Sequence, residues 1–339
     1  MDNEKHMAIA APAGSGTPET PPVVWMFSGQ GSQYFHMGRA LYERCRYFSA
    51  WMDRLDQTAM KYLECSIVSV IYDQARRVSD PFGDITLSHP ALFMVQLSLA
   101  NALIERGFAP PRYLLGASLG EFVAAAFAGV DTPEALLFDI IKQATLFKNH
   151  CTGGAMLVVL DDVEEFHRNP DIYRDIDLAG VNFDRCFVVS GPSSTIQRIT
   201  EALKTRDVPH QRLPVEVGFH SRAVDALAPL FRDTFRSRQY QIPAYPLISC
   251  SHSRVDRFTV DYWWEVIRRP IRFRESFRAF LQQHPQASFV DIGPSGTLAT
   301  FARYNTPSPG EETKIFTLLN PFGQDIENIE ACQFFPMRT

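Results

Sequence analysis

The stretch from Tyr113 to Glu121, Y-L-L-G-A-S-L-G-E, constrains this chain more than any other. Tyr113 to Leu115 fit a short buried strand, Gly116 and Gly120 bracket Ser118, and from Phe122 the sequence resumes a helical pattern. A strand, a tight glycine turn and a helix in that order belong to a parallel α/β sheet. In a G-x-S-x-G turn the glycines relieve crowding, so the chain bends sharply and leaves the serine hydroxyl exposed with the next backbone N–H free to meet an oxyanion. The bare pattern also fits a plain Gly/Ser turn. Its setting between strand and helix is what gives it weight.

Other segments extend the pattern. Val23 to Phe27 is an apolar run stopped by Ser28-Gly29, as for a buried strand, and Leu41, Cys45, Phe48, Met52 and Leu55 trace the stripe of an amphipathic helix. Pro90 is expected to open a helix that is apolar nearly all round and therefore deep in the core. From Ala155 the texture changes. Met156–Leu160, Leu178–Asn182, Cys186–Ser190 and the alternating Leu213, Val215 and Val217 read as strands, with helices at Val163–Arg168 and around Ile196, Ile199 and Leu203. The order β-α-β-β-α-β is that of a ferredoxin-like unit. Strands at Pro246–Ser249, Phe289–Ile292 and Ile315–Leu318, separated by helices around Trp264 and Phe277, return to the α/β alternation. The expected layout is a disordered leader at 1–22, a discontinuous large α/β domain at 23–153 and 218–320, a small domain at 154–217 inserted into it, and an uninformative tail at 321–339.

Composition excludes several functions. With 339 residues, 45% of them hydrophobic, the chain can bury a sizeable core, and 33 Lys+Arg against 38 Asp+Glu leave a net charge of −5. A weakly acidic chain is a poor candidate for gripping phosphate backbones, so no nucleic acid is expected. The most apolar stretch, Ala91 to Ile104, contains Gln96, Ser98 and Asn101 and falls short of the roughly 20 apolar residues a membrane span needs. The N-terminus opens acidic, without the basic start and long apolar run of a secretory signal, and six dispersed cysteines without a C-x-x-C pair fit reduced thiols. The expectation is a cytoplasmic protein with no metal site.

A serine needs a base within hydrogen-bond reach. Of nine histidines, His220 stands out because it ends the Val215–Val217 alternation at G-F-H-S, where the small domain rejoins the large one and a cleft is expected. The rival reading is a satisfied half-buried histidine. Gly29 and Gly31 flank Gln30 directly after the first strand, and a neutral amide at such a turn can donate to an oxyanion without competing as a base. A merely tight turn fits the same residues.

Together these segments resemble the malonyl-CoA:acyl carrier protein transacylases and the acyltransferase domains of polyketide synthases. The resemblance rests on F-S-G-Q-G-S-Q at 27–33, H-P-A-L-F at 89–93, G-A-S-L-G-E at 116–121, G-A-M at 154–156, A-G-V-N at 179–182, V-G-F-H-S at 217–221, R-R-P-I-R-F at 268–273 and D-I-G-P-S-G at 291–296, in family order. It implies an α/β hydrolase-like large domain with a parallel sheet and an inserted ferredoxin-like small domain. It also implies Ser118 as the acylated nucleophile, His220 as its base, and Gln30 with the Leu119 N–H as the oxyanion hole. A backbone carbonyl near Val266 would orient His220, which displaces Asp184 and Asp291 as third members of a triad. His89, Gln143, Asn182 and Phe219 are expected against the substrate. Arg268, Arg269 and Arg272, a dense basic segment, are expected to meet an acidic carrier protein.

The chain departs from the family twice. Ala117 stands where the family usually has histidine, a side chain that is not the base. Gln143 falls where malonyl-transferring members carry the arginine that clamps the substrate carboxylate, and glutamine offers no charge for such a pair. Members without that arginine are similar to stand-alone, trans-acting acyl hydrolases of polyketide assembly lines. The resemblance therefore implies hydrolysis of uncharged acyl thioesters on a carrier protein's phosphopantetheine, without a cofactor. Two alternatives stay open: transfer of an acyl group between coenzyme A and a carrier thiol, and an inactive carrier-docking module.

Overall fold

The computed structural model describes residues 21–252, 255, 257–306 and 313–332. Most of the expected leader, residues 1–20, lies outside the described residues. Among the described residues, nine strands form two sheets: β1 (Val23–Phe27), β2 (Tyr113–Gly116), β3 (Gly154–Val159), β4 (Asp177–Phe183), β5 (Cys186–Pro192), β6 (His210–Arg212), β7 (Leu247–Ser249), β8 (Ser288–Asp291) and β9 (Lys314–Thr317).

The first sheet has the order β7-β2-β1-β8-β9, with every neighbouring pair parallel. Its central strands are buried on both faces. Trp25 and Phe27 point into one apolar cluster, while Val24 and Met26 point into another with Tyr113 and Leu115. That two-sided burial explains why these strands read as unbroken apolar runs instead of alternating. The helix Leu119–Phe127 follows β2 and lies across β1 so closely that a Cβ on Gly120 would stand 1.9 Å from the Phe27 carbonyl oxygen.

The second sheet, β4-β5-β3-β6, is antiparallel throughout. Helices Glu164–Arg168 and Ser193–Thr205 lie between its strands in sequence, the order read from the sequence. The last strand differs from expectation. It is His210–Arg212, and although the Leu213 N–H still donates to Met156 O at 3.0 Å, the chain leaves the ladder from Pro214: Pro214 has no N–H to donate, and the Val215 N–H closes back onto the Leu213 carbonyl at 2.8 Å. β4 also reaches the first body of the molecule, because Val181 N–H donates to Ile271 O at 2.8 Å and Ile271 N–H to Ala179 O at 2.9 Å.

Three further expectations shift. The helix expected to open at Pro90 begins at Ile85, because Asp84 caps it by accepting from the Thr86 N–H at 3.0 Å, and Pro90 lies inside it. This helix, Ile85–Glu105, is long and apolar enough to cross a membrane by length and composition, yet 83% of its most apolar window is buried inside the protein. The stripe from Leu41 to Leu55 is divided at Cys45, whose extended backbone separates helices Arg39–Arg44 and Arg46–Leu63. The tail that carried no sequence signal holds a helix, Asp325–Ala331, with Asp325 and Ile329 buried.

Substituting Gly120 by Ala forces the helix off β1, and we expect a loss of at least about 3 kcal/mol. The shift of the urea unfolding midpoint measures it; an unchanged midpoint would contradict the close approach.

Candidate active site

The ends of β1 and β2 place two loops side by side at the carboxyl edge of the parallel sheet, where such sheets hold their ligands. The β2 loop carries Ser118 with φ 54° and ψ −121°, outside the regions a side-chain-bearing residue prefers. That bend turns the hydroxyl out of the sheet and sets Leu119 as the first residue of the following helix, where an N–H has no intrahelical acceptor. The β1 loop runs alongside. A Cβ on Gly29 would stand 2.7 Å from Ala117 O, so only glycine lets the two loops touch.

His220 faces Ser118 across the cleft, with Nε2 2.9 Å from the serine Oγ. The imidazole is 2% exposed and itself sits at φ 59°. Its Nδ1 lies 2.8 Å from the Arg269 carbonyl, and its backbone N–H donates to Ile267 O at 3.0 Å. A carbonyl only accepts, so the proton resides on Nδ1 and the Nε2 lone pair is turned to the serine O–H. Burial pulls the His220 pKa down to about 4; the Arg269 hydrogen bond opposes this and the Arg268 charge adds to it. The ring is thus neutral and able to take a proton at neutral pH.

The orienting carbonyl is that of Arg269, not of Val266. Val266 lies within the helix Val260–Arg268, while Arg269 caps that helix with extended backbone (φ −75°, ψ 152°), the conformation favoured before Pro270, and its carbonyl is released toward His220. Val266 instead lines the cleft wall. No carboxylate joins the pair. Asp184 binds Arg278 at 2.8 Å and Arg274 at 3.2 Å, and buried Asp291 accepts the Gly293 and Ala299 N–H groups.

Gln30 lines the same cleft, and its Oε1 accepts from His89 Nε2 at 3.2 Å. The Gln30 Nε2 is buried without a hydrogen-bond partner among the described residues. His89 is buried and its pKa is lowered to about 4 by burial. Phe219 packs between His89 and Phe147, with ring centroids 5.7 and 5.1 Å away. Asn182 lines the cleft from β4. Gln143, on the helix Pro133–His150, is 4% exposed and faces the cleft rather than solvent.

The cleft encloses about 440 Å³. Beyond the residues named, it is walled by apolar side chains such as Met156, Val158, Leu213 and Phe301. Among the described residues, no Asp, Glu, Lys or Arg lines it. The basic segment expected to meet a partner is locally balanced: Arg268 pairs with Asp225, Arg269 with Glu265 at 3.2 Å and Arg272 with Glu275 at 3.7 Å.

In the sequence Gln96 is only a polar interruption of an apolar stretch, with no sign of a role at the site. Fully buried, Gln96 accepts from the Ser28 N–H at 2.8 Å and donates to the Ser28 carbonyl at 3.0 Å, holding the β1 loop from below. The one available signal was a long amide amid an otherwise apolar helix, since a buried amide requires partners. Gln96→Leu should cost about 2 kcal/mol by stranding both groups of Ser28. Urea unfolding reads that cost, and a parental midpoint would show that the loop does not depend on this anchor.

Comparison with known proteins agrees with this architecture. A family model described as acyl transferase domain matches residues 24–334. The chain is 39% identical over 319 residues to the polyketide biosynthesis acyltransferase homolog PksD of Bacillus subtilis (strain 168), covering 93% of this chain and 96% of the relative. It is 37% identical to the homolog BaeD of Bacillus velezensis, covering 92% and 96%. Among solved structures it is similar to the acyltransferase domain from the second module of the salinomycin polyketide synthase, with TM-score 0.80, 26% identity and coverage of 92% of this chain and 72% of that one. It is also similar to a malonyl CoA-acyl carrier protein transacylase from Burkholderia pseudomallei, with TM-score 0.76, 27% identity and coverage of 86% and 100%. With the sheet, the elbow and the matched span in agreement, the chain belongs to the acyl transferase domain family, enzymes that act on acyl groups.

Proposed function

We propose that this chain is a trans-acting enzyme of polyketide biosynthesis that takes an uncharged acyl group from the phosphopantetheine thioester of an acyl carrier protein onto Ser118 and releases it to water. The observation that carries the choice of acyl group is the cleft lining, which contains Gln143 and no charged side chain. A carboxylate-bearing acyl group would enter without a cation to meet it, and burying an unpaired charge is costly.

The chemistry follows from the pair. His220 Nε2 takes the Ser118 proton as Oγ attacks the thioester carbon, and Gln30 Nε2 with the Leu119 N–H holds the oxyanion. As the tetrahedral intermediate collapses, the carbon–sulfur bond breaks and the imidazolium returns its proton to the departing thiolate. Water then attacks the acyl-serine by the same route, giving a carboxylic acid and restoring Ser118. The Arg269 carbonyl keeps the required tautomer throughout, so a dyad suffices. We read the chain between residues 154 and 217 as a small lobe that closes one side of the cleft, and the compartment as the reducing cytoplasm, which suits the six unpaired cysteines.

A second reading, transfer to coenzyme A or to another carrier thiol, is favoured by the name acyltransferase homolog borne by the PksD and BaeD relatives. It shares every step up to the acyl-enzyme. The inactive-module alternative is disfavoured by the intact 2.9 Å Ser118–His220 contact.

Incubation with acetyl- and malonyl-loaded carrier protein, followed by intact mass with and without an acceptor thiol, tests the proposal. Acetyl should be lost without an acceptor and malonyl retained; acetyl that leaves only when a thiol is supplied would establish transfer instead. Ser118→Ala should form no acyl adduct, and an adduct on that variant would overturn the nucleophile assignment.

Gln143→Arg places a cation in the cleft. We expect it to lose activity on acetyl and butyryl thioesters and to gain acylation by malonyl thioesters, with charge-assisted pairing contributing on the order of 1.5–3 kcal/mol to the new preference. Competition between acetyl and malonyl thioesters measures the shift, and an unchanged preference would remove Gln143 from the specificity argument.

A further inference from the structure

We infer that Glu121 is a positioning residue: its buried carboxylate ties the helix that presents Ser118 to the helix whose end holds His220. The inference rests on the reading of Ser118 and His220 as the reacting pair.

Glu121 lies in the first turn after the elbow, where its N–H donates to the Ser118 carbonyl at 2.9 Å. Its side chain is turned away from the cleft, behind β2, and the residue is 1% exposed. One carboxylate oxygen accepts from Ser249 Oγ at 3.0 Å, at the end of β7. The other accepts from the Tyr262 hydroxyl. Tyr262 belongs to the helix Val260–Arg268, and beside this bond Phe122 stacks on Trp263 with ring centroids 4.1 Å apart.

The far end of the Tyr262 helix carries both anchors of His220: the Ile267 carbonyl takes its backbone N–H and the Arg269 carbonyl takes Nδ1–H. Ser118 and His220 are 102 residues apart in sequence and belong to different elements. Their 2.9 Å contact therefore depends on how the two helices are set against each other. Burial pushes the Glu121 pKa up to about 7, against hydrogen bonds from Tyr262, Ser249 and Ser251, so this is an expensive group to bury for packing alone, and an apolar residue would fill that space more cheaply. What the carboxylate supplies is direction. Two hydrogen bonds, one to each neighbouring element, fix the axial register that apolar packing leaves loose. Ser249 extends the same tie, because its hydroxyl also accepts the Ser251 and His252 N–H groups and so orders the loop leaving β7.

Three variants test the assignment. Tyr262→Phe removes one hydroxyl and keeps the ring, Glu121→Met removes both bonds at similar volume, and Glu121→Gln can still accept from the Ser249 hydroxyl and donate its amide N–H to the Tyr262 hydroxyl oxygen. The measurements are the rate of Ser118 labelling by a fluorophosphonate, the thermal midpoint, and the imidazole ¹⁵N shifts of His220. Tyr262→Phe and Glu121→Met should each slow labelling, by on the order of 10²-fold for a displacement near 1 Å. The His220 shifts should move toward a tautomer mixture; the midpoint of Tyr262→Phe should also fall, because a buried carboxyl oxygen loses its donor, so the ¹⁵N shifts, which lost stability alone would leave in place, are the readout that separates positioning from a merely structural role. Relative to Glu121→Met, Glu121→Gln should recover the labelling rate. Parental labelling and parental ¹⁵N shifts in Tyr262→Phe would overturn the positioning role. If the parent chain is not labelled at Ser118, or if Ser118→Ala labels as fast, the assignment of the nucleophile fails instead.

Discussion

Ser118 at φ 54° is the constraint on which the rest of the molecule is arranged. A serine in that conformation stores strain unless its surroundings determine it from several sides. Here β2 delivers the chain to the bend, Gly120 brings the following helix against the Phe27 carbonyl, and Gly29 lets the neighbouring loop press on Ala117. The parallel sheet supplies a rigid edge for two such loops, and Gln96 fixes the second of them from inside the core. The fold thus brings the Ser118 hydroxyl, Leu119 at the helix N-terminus and the Gln30 side chain to one cleft.

The opposite side of the cleft is held by carbonyls in place of a carboxylate. Arg269 and Ile267 together fix both the position and the tautomer of His220, and the extended backbone before Pro270 makes the Arg269 carbonyl available. The same strip is joined to the second sheet through Ile271 and β4, so backbone hydrogen bonds link the antiparallel sheet to the segment that holds the histidine. Burial does the electrostatic part. It keeps His220 and His89 neutral in a cleft whose described lining residues include no Asp, Glu, Lys or Arg.

Much of this could be read along the chain. Apolar runs bounded by Gly and Ser marked β1 and β2 because strands buried on both faces leave no room for alternation. The elbow, His220 and Gln30 were visible because their neighbours are glycines or strand ends, whose local chemistry is legible without partners. Segments whose state depends on distant partners were misplaced. Leu213 to Val217 alternates like a strand but leaves the ladder at Pro214, and Ile85–Glu105 starts before Pro90 because Asp84 caps it. The helix at Asp325–Ala331 went unread, since its burial depends on packing that no local pattern announces.

By itself the sequence determined the alternation of strands and helices, the side chains that we propose react and the absence of a guanidinium at position 143. Those properties are local: they follow from residue type, spacing and the conformational freedom of glycine. Only the tertiary structure decided that Arg269 and not Val266 orients His220, that the arginines at 268, 269 and 272 are balanced by nearby carboxylates, and that Glu121 reaches Tyr262. Each of these is a contact between groups whose separation in space is set by how whole elements pack, and a linear pattern carries no record of that distance.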